Sequence, residues 1–89
     1  MKAYEIDNIN AVKEFLFDVA YKCQKALNPE EDLRMLRDDS GLTIFNAIEG
    51  EYMDNIMMEC FIYCICNKIN IYALAYEMQA KALQIKAAA

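Results

Sequence analysis

From Asp7 onward, Ile9, Val12, Leu16, Val19, Ala20, Cys23 and Leu27 recur at steps of three and four, one face of an α-helix. Asp7 or Asn8 can cap its first turn, because a short side-chain oxygen there accepts from backbone amides that have no partner in the helix. Lys13, Glu14, Asp18, Lys22 and Lys25 fall off the stripe, as expected for a surface helix. Phe15, Phe17 and Tyr21 lie beside it and widen the apolar surface, which implies contacts on more than one side. The pattern predicts a helix over about 8–27.

A second start follows at Asn28-Pro29-Glu30-Glu31. Asn28 caps, Pro29 brings a preset φ to the first helical position, and Glu31 can reach back to the cap. A short helix over 29–38 is expected, carrying Leu33, Met35 and Leu36. Asp38-Asp39-Ser40-Gly41 reads as a turn, and 42–49 as a brief helical segment that Gly50 ends.

From Glu51 to Lys86 the chain contains neither Gly nor Pro, and Cys60-Phe61-Ile62-Tyr63-Cys64-Ile65-Cys66 is an unbroken run of apolar and thiol residues. At roughly 100° per residue, Glu51, Asn55, Glu59, Asn67, Asn70, Glu77, Lys81 and Gln84 collect within about 160° of arc. A strand pair meeting at Asn67-Lys68 would alternate every second residue instead. The polar stripe therefore predicts one long amphipathic helix over 51–86. Lys68 falls in the middle of its apolar face, so either that side chain snorkels or the helix bends or breaks among Asn67, Lys68 and Asn70. Unbroken, such a helix spans ~54 Å, against a diameter of ~30 Å for a compact domain of this size. The overhang would require a second copy to cover it. The expected architecture is a single all-α domain over 1–89, a bundle of three to four helices dominated by the long C-terminal one.

Composition sharpens the expectation of a dimer. Hydrophobic residues make up 57% of the 89 positions, above the ~45–50% usual for soluble domains, and a chain this short has little interior in which to place them. Met53, Met57, Phe61, Cys64, Ile65 and Tyr72 are the candidate dimer interface. The net charge of −5 argues against nucleic-acid binding, which draws on Lys and Arg to neutralise phosphates. Acidity is concentrated between Glu30 and Glu59, where nine acids face Arg34 and Arg37 alone. Part of that cluster has a structural role, since Glu30, Glu31 and Asp32 stand at the positive end of a helix dipole. The rest marks a candidate docking face for a basic protein surface: Glu49, Glu51, Tyr52, Asp54, Asn55, Glu59 and Tyr63.

Candidate chemistry is sparse. Histidine is absent, removing the commonest general base and metal ligand. Cys60 and Cys64 share a helical face, Cys66 falls on another, and with Cys23 they do not form the close pairs typical of zinc sites. Buried structural cysteine is expected, with no metal and no cofactor. A helix-turn-helix reading of Tyr63 to Met78 gives a second helix with Glu77 and no Arg, unsuited to DNA. Residues 1–12 hold no apolar signal region, so a cytoplasmic location is expected. The apolar run ends at Asn67-Lys68 after Glu59, too short for a membrane span. The expected function is that of a small non-enzymatic interaction module of the inhibitor, immunity, antitoxin or accessory type. The alternative is a regulatory helical module holding a small molecule between helices.

Overall fold

The computed structural model describes residues 3–22 and 47–88, with the backbone alone described for Lys22 and residues 47–51. These residues form three α-helices and, among them, no strand: α1 Ile9–Lys22, α2 Ala47–Cys66 and α3 Ile71–Ala88. The protein is all-α, as the periodicity predicts. The expected helix over 29–38, the Asn28 cap, the end of the first helix beyond Lys22 and most of the 42–49 segment lie outside the described residues.

Asn8 is the cap of α1. Its Oδ1 accepts from the Ala11 amide at 2.9 Å, and its carbonyl accepts from Val12 N at 3.4 Å. The buried face carries Val12, Phe15, Leu16, Val19 and Ala20. Phe15, expected beside the stripe, is fully buried at its centre, while Ile9 sits at the rim with 37% of its surface exposed. The stripe is therefore rotated toward Phe15, whose ring meets Tyr4 edge-on at 5.2 Å.

Two expectations for the C-terminal half are corrected. Gly50 does not end a helix, because α2 starts at Ala47 and runs through it. Glycine inside a helix costs only about 1 kcal/mol relative to alanine, less than the burial of one large apolar side chain from the turns that follow. Nor is 51–86 one helix; it breaks at residues 67–70. Lys68 takes a left-handed backbone conformation with φ 57°. Its amide donates to the Ile65 carbonyl at 3.3 Å, and the Ile69 amide donates to the Cys64 carbonyl at 2.8 Å. That pair of bonds is a Schellman stop with lysine where glycine usually stands. Asn67 adds a side-chain bond from Nδ2 to the Tyr63 carbonyl, 2.9 Å. Asn70 then caps α3, its Oδ1 accepting from the amides of Tyr72 and Ala73 at 3.0 and 3.2 Å. The break thus satisfies several of the backbone groups that two helix ends leave open.

The turn folds α3 back, and Phe61 meets Tyr72 edge-on at 6.0 Å. Ile71, Ala75, Met78 and Ala82 form the buried stripe of α3. Alanine at two of these positions leaves room for close packing, and α1 and α3 form the most extensive helix pair among the described residues. Lys13 pairs with Glu77 at 3.6 Å, and Lys86 Nζ reaches the Ala20 carbonyl at 3.4 Å. Both members advance together along the chain, so α1 and α3 run parallel. One core joins the three helices, with Met53, Ile56, Met57, Cys60, Phe61 and Cys64 supplied by α2. The longest extent is 35 Å, so among the described residues no helix overhangs, and the length argument for a second copy falls.

Candidate interaction surface

Helix α2 is apolar on both sides. Its inward arc fills the core, and its outward arc exposes Met58, Ile62 and Ile65 at 41%, 54% and 71%. These three recur at steps of four and three, one seam along the helix. Asn55, Glu59 and Cys66 are exposed on the same side. A shallow groove of about 450 Å³ runs beside the seam, lined by Ile6, Glu59, Ile62, Tyr63, Cys66 and Asn67. The seam explains why the Cys60–Cys66 run could not be placed on one face by its polar neighbours. Every side of the helix is apolar there, and only the fold decides which side meets solvent.

The candidate docking residues divide. Asn55 and Glu59 are exposed, whereas Tyr52, Asp54 and Tyr63 are half-buried. Tyr52 is held from behind: its hydroxyl oxygen accepts from the Tyr4 amide at 2.8 Å, and the two rings stack at 6.4 Å. Burial raises the Asp54 carboxyl above the usual carboxylate range, so it is a poor surface charge. Glu49 and Glu51 belong to the first turns of α2, and their side chains lie outside the description. The structure therefore brings Asn55 and Glu59 together on one open surface and turns Tyr52 and Tyr63 toward the core.

The candidate dimer residues divide as well. Met53, Met57, Phe61 and Cys64 are all at most 4% exposed inside the chain's own core, and Tyr72 is half-buried against it. Only Ile65 offers a large free surface. Ile62 and Met58 were missed because they lie near the polar residues of the helical projection. Their signal was the uninterrupted apolar run itself, which is wider than one face can use.

The thiols behave as packing groups. Burial, with smaller contributions from Cys64 and Glu59, pushes Cys60 up to about 12, and burial also raises Cys64. Neither supplies a thiolate near neutral pH, the form that attacks or binds metal. Cys66 alone of the described cysteines is exposed. Among the described residues no cluster of His, Cys, Asp or Glu could hold a metal ion, and no helix is long and apolar enough to cross a membrane. Tyr4 is the other perturbed group; burial and its 2.7 Å bond to Asp18 Oδ2 raise its phenol well above the ordinary value. No family model, curated protein or solved structure matches the chain.

Proposed function

We propose that this protein is a small non-enzymatic interaction module that acts as a dimer and docks a basic protein surface through the acidic first half of α2. The supporting observation is the solvent arc of α2, where Met58, Ile62 and Ile65 form an apolar seam beside Asn55 and Glu59. Interfaces typically join an apolar centre to a polar rim, and this arc has both. Glu49 and Glu51 add two acids to the first turns of the same helix. An inhibitor, immunity or accessory role fits that arrangement, since such proteins act by covering a partner and carry no chemistry of their own.

Reversing Glu49 and Glu51 to lysine tests the docking face. A partner captured by the wild-type protein from cell extract should be lost by the variant and weakened by added salt. Equal capture by both proteins at either salt concentration refutes the acidic face. The groove beside Ile62 supports a second reading, a regulatory module with a small ligand, because its volume is within the range of ligand sites. It lies on the surface instead of between helices, which favours a protruding side chain as its occupant.

A further inference from the structure

The groove beside α2 has a one-sided chemistry. Its α2 wall places Glu59, Tyr63 and Asn67 at steps of four, each ~6 Å beyond the last along the helix. Every one of these side chains offers an oxygen acceptor: a carboxylate, a hydroxyl, and an amide whose Nδ2 is already given to the Tyr63 carbonyl at 2.9 Å. Ile62 supplies apolar surface beside them, and Ile6 closes the other wall from the segment that precedes α1. No Lys or Arg lines the groove, and among the described residues no base pairs with Glu59. Lys68 stands beyond the end of α2, in the left-handed turn, and is not part of the lining. Glu5 and Asp7 are exposed on either side of Ile6 and add negative charge to that wall. The wall is also fixed in advance. Two residues before Ile6, the Tyr4 hydroxyl donates to Asp18 Oδ2 at 2.7 Å and the Tyr4 amide donates to the Tyr52 hydroxyl oxygen at 2.8 Å. Two residues after it, Asn8 caps α1. Ile6 is therefore held between two anchors, and an incoming group need not order it.

We propose that this groove receives an arginine side chain protruding from a basic partner protein, with its stem on Ile6 and Ile62 and its guanidinium on Glu59 and Tyr63. This deepens the docking reading above and rests on it for the partner. A guanidinium is favoured because its planar fork of five donors meets several acceptors at once, stacks on an aromatic ring and is more weakly hydrated than an ammonium. A lysine head, a compact and strongly hydrated point charge, would use fewer of the acceptors. A neutral apolar segment would cover the Glu59 carboxylate without compensating it.

Titration of the purified, isotopically labelled protein with N-acetyl-arginine methylamide at low salt, followed by amide NMR shifts, is the test. The shifts should saturate and centre on Ile6, Glu59, Tyr63 and Asn67. The citrulline analogue keeps the shape without the charge and should produce none at the same concentration, and the lysine analogue should bind more weakly than arginine. Glu59→Gln should weaken arginine binding about five-fold, the upper end for a solvent-exposed pair, with the rest of the spectrum unchanged. Occupancy should also slow alkylation of Cys66, which is exposed in the groove. Absence of saturable binding, citrulline or lysine binding as tightly as arginine, an unchanged affinity in Glu59→Gln, or shifts centred elsewhere overturns the proposal. No partner is present in the titration, so the groove can fail here while capture still depends on Glu49 and Glu51, and the two failures are told apart.

Discussion

Replacing Lys68 with glycine should stabilise this protein. Lys68 holds φ 57°, the centre of the left-handed region, where a side chain carrying Cβ crowds the following carbonyl at a cost of about 1–2 kcal/mol. Glycine relieves that crowding but loses more backbone freedom on folding, about 0.5–1 kcal/mol. The difference leaves a net gain of roughly 0.5–1 kcal/mol. Relaxing the backbone into a helical conformation is not an escape, because the bonds from Lys68 to Ile65 and from Ile69 to Cys64 exist only while the turn is left-handed. Lys68→Ala supplies the control, since it removes the charge but keeps Cβ. Urea unfolding followed by circular dichroism, at concentrations low enough to suppress association, should rank glycine above alanine by that margin. The corresponding rise in melting temperature is about 2–8 °C for a domain of this size. If glycine proves no more stable than alanine, the left-handed assignment and the Schellman stop built on it are wrong.

Thiol labelling separates the cysteines: Cys66 should react readily in the dilute native protein, while Cys60 and Cys64 react only after denaturation, as read by peptide mass spectrometry. Comparable native reactivity at all three would contradict the placement of α2. Stability should also fall in alkali. In the unfolded chain Cys60 ionises above its ordinary 9.0, whereas the fold holds its proton to about 12, so its contribution is intact below pH 9 and lost on the way to pH 12. Tyr4, raised from 10.0, acts in the same direction. Urea midpoints should decline over roughly pH 9–11, and less steeply in Cys60→Ala; a flat profile in the parent protein would remove the argument.

Local chemistry was legible where one residue decides one bond. Asn8 announced the start of α1, and the cluster Asn67, Lys68 and Asn70 announced strain in a continuous C-terminal helix. The break itself was not decidable, because a helix stop of this type usually shows glycine and here shows lysine, a good helix former. Gly50 misled in the opposite sense: it permits a break without requiring one, and α2 passes through it. The exposed apolar surface of α2 was legible in amount but not in orientation. More apolar side chains than one face can bury were evident between Cys60 and Cys66, yet the sequence could not say that Phe61 turns inward while Ile62 and Ile65 turn out.

The parallel packing of α1 against α3 sets the order in which this chain can mature. About fifty residues separate Lys22 from Ile71, so during synthesis α1 is complete long before the helix that covers it exists. A lone helix of 14 residues is marginal in water. The core that holds Phe15 and Val19 therefore stays incomplete until Ile71, Ala75, Met78 and Ala82 have left the ribosome. Bringing two helices together across that sequence separation slows folding. Chains stopped short of α3 should be substrates for chaperones and proteases.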